Sequence, residues 1–163
     1  MVVEDSPHDF YAVKRGLKAV DLAENLIHCE TGEQALDTLT ADFQSANPAA
    51  VLPRLILLDL NLPGLSGAQV LQRIRDDTRL KTLPVVILTT SDDPKDIAEC
   101  YALGASSYIS KPLTLAAATA LKEYWFGQVT LPEFNAAAVP PKPGTPAVAE
   151  PAPQTYNSGQ GLK

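Results

Sequence analysis

Two short segments in which every residue is apolar constrain the fold of this chain more than any other feature. Residues 55–58 read Leu-Ile-Leu-Leu, and residues 85–88 read Val-Val-Ile-Leu. A strand that is apolar at successive positions is covered on both faces, as the central strands of a parallel sheet are. Both segments are far shorter than the roughly 20 residues that cross a bilayer. They therefore predict central strands of an α/β domain.

Segments of helical period separate these two strands from three weaker strand candidates. The weaker candidates are residues 1–4, 25–29 and 107–109. Five predicted helices begin after residues whose side-chain oxygen can accept a hydrogen bond from the first turn. These capping residues are Ser6, Thr31, Ser66, Asp93 and Thr114. The predicted element order is βαβαβαβαβα, which is typical of an α/β domain with a parallel sheet.

The composition changes near residue 136. Residues 136–163 contain six of the fourteen prolines, six alanines and only three charged residues. Such a segment buries too little apolar surface to offset the entropy lost on ordering. We therefore predict a folded domain over residues 1–128 and a Pro/Ala-rich, largely disordered tail over residues 129–163. Because so few residues follow residue 128, we expect no DNA-binding output domain.

The charge of the chain excludes several classes of partner. The net charge is −6 and the isoelectric point is about 4.8, so a nucleic-acid backbone would be repelled. The amino terminus has neither a basic nor an apolar region of a signal peptide, which predicts a cytoplasmic protein with no membrane contact.

Cys29 and Cys100 lack a CxxC partner, so we expect ordinary buried thiols. We expect His8 and His28 to be surface polar residues.

Polar residues follow four of the predicted strands. Glu4 and Asp5 follow the first, Asp59 the third, Thr89 the fourth and Lys111 the fifth. Ligands of open parallel sheets bind at this carboxyl edge. Gathered carboxylates repel one another unless a hard cation such as Mg²⁺ lies among them. With a lysine and a hydroxyl nearby, one carboxylate could accept a phosphoryl group and form an aspartyl-phosphate.

Several separated motifs resemble those of the receiver domain of two-component response regulators. They are residues 3–7 (Val-Glu-Asp-Ser-Pro), 57–64 (Leu-Leu-Asp-Leu-Asn-Leu-Pro-Gly), 88–91 (Leu-Thr-Thr-Ser) and 110–112 (Ser-Lys-Pro). The resemblance covers residues 1 to about 128. It implies a flavodoxin-like, doubly wound sheet of five parallel strands in the order 2-1-3-4-5.

Within this family, the chain looks most similar to the bacterial phytochrome response regulators. The reasons are residues 88–91, the long loop before the third strand, and the aromatic run at residues 124–126 followed by Leu131-Pro132. The resemblance implies a phytochrome-like sensor histidine kinase as the phosphoryl donor and a stand-alone receiver domain.

The resemblance also implies roles for individual residues. Asp59 would accept the phosphoryl group, and Lys111 would pair with it. Asp5 and Asp59 would bind Mg²⁺ directly, Glu4 would bind it through water, and the backbone carbonyl of Asn61 would be a further ligand.

The family pattern further implies a conformational switch. Thr89 would move towards the phosphoryl group, and Tyr108 would turn inward in response. The bond between Lys111 and Pro112 is expected to be cis.

Three adjacent aromatic residues end the last predicted helix. Tyr124, Trp125 and Phe126 cannot all face the core of a helix with 3.6 residues per turn. At least one is therefore expected at the surface. Since the phytochrome-associated regulators are homodimers that use this end of the domain, we expect a homodimer.

The start of the chain departs from the family pattern, because only three residues precede Glu4. We expect the first strand to be short and partly unpaired. Either a stretch of sequence is missing before Met1, or the chain begins here and the fold is expected to be less stable than that of its relatives.

Two other functions compete with phosphoryl acceptance. Phosphatases of the haloacid-dehalogenase type need a second aspartate two residues after the nucleophile, where this chain has Asn61. A receiver fold could also serve as an interaction module that does not depend on phosphorylation, with Asp59 as an ordinary turn residue.

Overall fold

The computed structural model describes the backbone of residues 1–44 and 52–126, and the side chains of these residues except 42–44, 125 and 126. Strands and helices alternate along the chain as the sequence predicts. The strands are β1 (Val2–Val3), β2 (His28–Cys29), β3 (Ile56–Leu58), β4 (Val85–Thr89) and β5 (Ser107–Ser110). The helices are α1 (Pro7–Lys18), α2 (Gly32–Gln44), α3 (Gly67–Asp76), α4 (Pro94–Ala102) and α5 (Leu115–Phe126).

The five strands form one parallel sheet in the order β2-β1-β3-β4-β5. This order confirms the predicted doubly wound, flavodoxin-like fold. It places β1 in the interior of the sheet, and both of its edges are paired. The Val2 amide donates to the carbonyl of Ile27 at 2.8 Å, and the Asp59 amide donates to the carbonyl of Val3 at 3.0 Å. The expectation that β1 would be partly unpaired is therefore wrong, because two residues suffice to bridge β2 and β3.

The two all-apolar strands are buried on both faces, as predicted. Ile56 and Leu58 of β3 face the layer formed by α2, α3 and α4, where they join a cluster with Leu71 and Ile74. Leu57 faces the opposite layer of α1 and α5 and packs in a second cluster. Residues of β4 alternate between the same two clusters. The sheet therefore lies between two helical layers, and this arrangement fixes where each strand ends.

The predicted capping residues begin all five helices. Ser66 and Gln69 form a complete capping box, in which Ser66 Oγ accepts from the Gln69 amide and Gln69 Oε1 accepts from the Ser66 amide. At α2, Thr31 Oγ1 accepts from the Gln34 amide at 3.1 Å. Gln34 Oε1, however, accepts from the amide of Glu30, one residue earlier than a capping box requires. The other three caps are Ser6, Asp93 and Thr114.

Met1–Val129 form one compact unit, and the predicted domain boundary at residue 128 stays a prediction. The predicted disordered tail over residues 129–163 lies outside the described residues and stays a prediction. Among the described helices, none is both long and apolar enough to span a bilayer.

Gly67 marks a close approach between α3 and the end of β3. A β-carbon at Gly67 would overlap the backbone carbonyl oxygen of Asp59. The Gly67 amide also donates to the carbonyl of Leu60 at 2.9 Å. Because the obstacle is backbone and not a flexible side chain, the helix cannot accommodate a larger residue without moving the loop that carries Asp59.

We expect Gly67→Ala to lower the free energy of unfolding by ~2–3 kcal/mol, since overpacking against a fixed backbone strains the native state. The control is Gly16→Ala in α1, where the new methyl group would make ordinary contacts of 3.4 Å with Leu113. There, alanine in a helix should be neutral or stabilising by up to about 1 kcal/mol. Urea unfolding followed by circular dichroism measures both, and equal effects would contradict the proposed close approach.

Candidate functional site

Side chains from three strand ends meet at the carboxyl edge of the sheet. Lys111 follows β5, and its Nζ lies 2.6 Å from Asp59 Oδ2 and 2.5 Å from Glu4 Oε2. It also lies 3.1 Å from Oδ2 of Asp9, in the first turn of α1. Glu4 and Asp59 are buried, with 2% and 5% exposure. The convergence of Glu4, Asp59 and Lys111 agrees with the sequence prediction, whereas Asp9 was not predicted.

The ion pairs change the protonation equilibria of the groups that form them. Burial alone would lower the pKa of Lys111, but its hydrogen bonds to Asp59, Glu4 and Asp9 outweigh burial and raise that pKa above its usual range. The contact with Lys111 lowers the pKa of Asp9. Burial raises the pKa of Glu4, although the Lys111 ammonium opposes that change. Lys111 is therefore firmly cationic at neutral pH.

Three carboxylates form a cluster at this edge that suits a divalent cation. One oxygen from each of Glu4, Asp5 and Asp59 lies within 4.8 Å of the others. The Asp5 side chain is exposed, so the cluster opens to solvent on that side. With Asp9, four carboxylates lie near a single ammonium group, which contacts three of them, so the site has an excess of negative charge. Hard oxygen ligands and that charge fit the divalent metal site of receiver domains.

Asn61 lies beside the phosphoacceptor candidate. Its backbone amide donates to Asp59 Oδ1 at 3.3 Å, while Oδ2 of Asp59 accepts from Lys111. The first of these bonds is the turn contact that a purely local interpretation of Asp59 predicts. Both bonds coexist, so the turn orients the carboxylate instead of replacing its role in the site.

Thr89 and Tyr108 are joined through one loop, the segment between β4 and α4. The buried Thr89 Oγ1 accepts from the amide of Ser91 at 3.4 Å. The Tyr108 hydroxyl donates to the backbone carbonyl of Ser91 at 2.6 Å. Ser91 Oγ in turn donates to Asp96 Oδ2 at 2.5 Å, in the first turn of α4. In the part of the chain that the structure describes, Thr89 is bonded within this loop and not to Asp59.

The other features that the family pattern implies are the Lys111–Pro112 bond and the aromatic run at the end of α5. The Lys111–Pro112 bond is cis, as the family pattern implies. Tyr124 is half-buried on α5, and the side chains of Trp125 and Phe126 lie outside the described residues, so the predicted interface stays a prediction.

The two cysteines and the two histidines were predicted from their isolation in the sequence. Cys29 and Cys100 are buried free thiols, and burial raises the pKa of Cys100 to about 11. His8 has an exposed side chain, as predicted. His28 is half-buried and not simply a surface residue, because its ring contacts the backbone carbonyl of Glu4.

His28 supports the loop that carries Glu4 and Asp5. Its Nε2 lies 2.9 Å from the backbone carbonyl oxygen of Glu4. A carbonyl only accepts, so Nε2 carries the proton. The ring stacks on Phe10 of α1, with centroids 3.6 Å apart and planes within 6°. The register that pairs Val2 with His28 is the signal that would have found this contact, and it is not readable before the sheet is known.

A doubly wound α/β domain with an acidic cluster and a lysine at its carboxyl edge defines a class of phosphate- and metal-binding proteins. Within that class, residues 1–121 match the model of the response regulator receiver domain. The chain therefore belongs to the response regulator receiver family.

Its relatives include phytochrome response regulators, as the sequence motifs indicate. Response regulator Rcp1 of Synechocystis is 35% identical over 136 residues, which are 81% of this chain and 91% of Rcp1. The probable methanogenesis regulatory protein FilR2 of Methanothrix harundinacea is 33% identical over 131 residues, which are 78% of this chain and 83% of FilR2.

Solved structures of such proteins have the same fold. The phosphorylated cyanobacterial phytochrome response regulator RcpA is 33% identical with a TM-score of 0.67, over 80% of this chain and 95% of RcpA. The bacteriophytochrome response regulator AtBRR is 30% identical with a TM-score of 0.66, over 81% of this chain and 94% of its own. The Mn²⁺-bound form of Rcp1 has a TM-score of 0.65 at 35% identity, over 80% of this chain and 96% of its own.

We expect His28→Phe to keep the stacking on Phe10 but to lose the hydrogen bond to Glu4, at a cost of about 1 kcal/mol in the free energy of unfolding. The bond from His28 orients the segment that carries Glu4 and Asp5. Without it, the affinity for Mn²⁺ should also fall several-fold. Urea unfolding and Mn²⁺ titration by water proton relaxation measure the two effects. Tyr11→Phe, which removes a hydroxyl group at an exposed position of α1 (66%), is the control, and a Mn²⁺ affinity of His28→Phe equal to that of the control would contradict the prediction.

Proposed function

We propose that this receiver domain accepts a phosphoryl group on Asp59 from a sensor histidine kinase. The observation that carries the proposal is the 2.6 Å contact between Lys111 Nζ and Asp59 Oδ2 within the acidic cluster. A buried carboxylate held by a cation at the open edge of a parallel sheet is placed for nucleophilic attack on an incoming phosphorus.

The transfer forms one bond and breaks another. An oxygen of Asp59 attacks the phosphorus of the phosphohistidine, the new oxygen–phosphorus bond forms, and the phosphorus–nitrogen bond breaks. The bonding electron pair leaves with the imidazole nitrogen. Charge then lies on the three terminal phosphoryl oxygens. The Lys111 ammonium, already beside Asp59, pairs with one of them.

A divalent cation completes this arrangement. Asp5 and Asp59 would hold it directly, Glu4 through water, and the Asn61 backbone carbonyl would supply a further oxygen. When bound, Mg²⁺ supplies positive charge to the phosphoryl oxygens. Glu4 and Asp59 then share their charge between the cation and Lys111, which lowers the repulsion within the acidic cluster.

The response to phosphorylation passes through the loop after β4. We propose that Thr89 exchanges its bond with the Ser91 amide for one with the phosphoryl group. Ser91 is also bonded to Tyr108 and Asp96, so a shift of Thr89 moves the edge strand and the start of α4 together. A local change of charge would thus alter the surface formed by β5 and the start of α4, which a partner protein can recognise.

The partners we propose are a phytochrome-like histidine kinase and a second copy of this chain. The similarity to RcpA and AtBRR, both named as phytochrome response regulators, supports the first. The aromatic run at residues 124–126 supports the second. The net charge of −6 disfavours nucleic acid as a partner.

Incubation with acetyl phosphate and Mg²⁺, followed by intact-mass spectrometry, tests the chemistry without the kinase. We expect a gain of one phosphoryl group, about 80 Da, that is labile in base because it is an acyl phosphate. Asp59→Asn should abolish it, whereas Asp37→Asn, at an exposed position of α2, should not. Steady release of phosphate over many turnovers would indicate a phosphatase instead. A folded protein that is never labelled would indicate an interaction module.

Sedimentation velocity tests the homodimer. We expect the chain to sediment as a dimer at tens of micromolar, and Trp125→Ala to shift it towards the monomer, because aromatic side chains dominate such interfaces. Leu115→Ala is the control, since Leu115 is an exposed apolar residue (62%) at the other end of α5. A monomeric wild-type chain, before and after phosphorylation, would contradict the proposed assembly.

A further inference from the structure

Lys111 has a third carboxylate partner that does not belong to the acidic cluster. Asp9 Oδ2 lies 3.1 Å from Lys111 Nζ, although the two residues are 102 positions apart in the chain. The cluster of mutually close ligand oxygens consists of Glu4, Asp5 and Asp59. Asp9 therefore contacts the lysine of the site from a different element, the first turn of α1.

The backbone holds Asp9 in this position. The Asp9 amide donates to Ser6 Oγ at 3.3 Å, which fixes the first turn of α1. The other carboxylate oxygen, Oδ1, lies 3.3 Å from Nδ1 of His8. An acidic residue in a first helical turn is common because it complements the helix dipole. The dipole alone does not explain why its side chain turns to Lys111.

The three partners of Lys111 are not equivalent. An ammonium group has three N–H donors, and each carboxylate here accepts one. Glu4 and Asp59 are also candidates for holding a divalent cation. Their attraction to Lys111 would weaken when they bind that cation, because each carboxylate would then be shared between two positive charges. Asp9 is the one partner of the three that lies outside the acidic cluster, so it can keep Lys111 in place when the others turn to the metal.

We propose that Asp9 is a positioning residue that retains Lys111 beside Asp59 while Glu4 and Asp59 bind the divalent cation. This proposal rests on the function proposed above and deepens it. Asp9 also adds a negative charge close to the reacting carboxylate. The carboxylates of Asp9 and Asp59 contact the same nitrogen, so they lie well inside the Debye length of about 8 Å. Salt therefore screens the repulsion between them only weakly.

The charge of Asp9 acts with opposite sign on the two ligands of the site. It attracts a divalent cation, and it repels the phosphoryl group that develops on Asp59. Asp9→Asn keeps an oxygen acceptor for Lys111 but removes the charge. It should therefore weaken cation binding and at the same time favour phosphorylation. A defect in folding would impair both properties.

The test uses the full chain, with Asp37→Asn as a charge-matched control on α2. Titration with Mn²⁺, followed by water proton relaxation, should show affinity weakened by roughly three- to tenfold in Asp9→Asn. At saturating Mg²⁺, the acetyl phosphate concentration that gives half-maximal labelling should fall by roughly two- to fivefold, with little change in the maximal rate. Asp9→Ala, which also removes the acceptor, should reduce the maximal rate of labelling.

Each outcome decides the proposal. If Asp9→Ala reaches the maximal rate of labelling of the wild-type chain, Asp9 does not position Lys111 and the proposal is wrong. If Asp9→Asn matches Asp37→Asn in both titrations, the charge of Asp9 does not act on the site, which also contradicts the proposal. If the wild-type chain itself is never labelled, the proposed function fails. The Mn²⁺ titration then still decides whether Asp9 contributes to the cation site.

Discussion

The ammonium group of Lys111 is the interaction on which the geometry of the site depends. It joins carboxylates from the ends of β1 and β3 and from the first turn of α1. Without a cation, the like charges that the sheet gathers at one edge would repel one another and separate. The lysine thus holds Glu4 and Asp59 together, and it neutralises part of the negative charge that a divalent cation would also neutralise.

The sheet supplies the precision that this interaction needs. β1 and β3 end in register, so Glu4 and Asp59 reach the same edge, and β5 adds Lys111 two strands away from β3. Gly67 allows α3 to approach the backbone of Asp59 closely, which holds the β3–α3 loop against the helix. The loop after β4 then connects the interior of the site, at Thr89, with Tyr108 on the edge strand.

Features coded by neighbouring residues could be predicted from the sequence, and features made by distant pairs could not. The apolar segments gave the two central strands, and the five capping residues gave the helix starts. The motifs placed Glu4, Asp59 and Lys111 together. The contacts of Asp9 with Lys111 and of His28 with Glu4 depend on packing and register across 102 and 24 positions. The short β1 was misjudged because strand length was read without the pairing on both of its edges.

The central position of β1 has a consequence for how the domain is made. During synthesis β1 leaves the ribosome before either strand that pairs with it, and β3 follows only after about fifty further residues at a rate of about 5–20 residues per second. The interior of the sheet, and with it the joining of Glu4 to Asp59, therefore cannot form until β3 has emerged. Lys111 comes later still, so the acidic residues meet their cation only after β5 has emerged, and a ribosome stalled before β5 would present an unfinished and acidic domain.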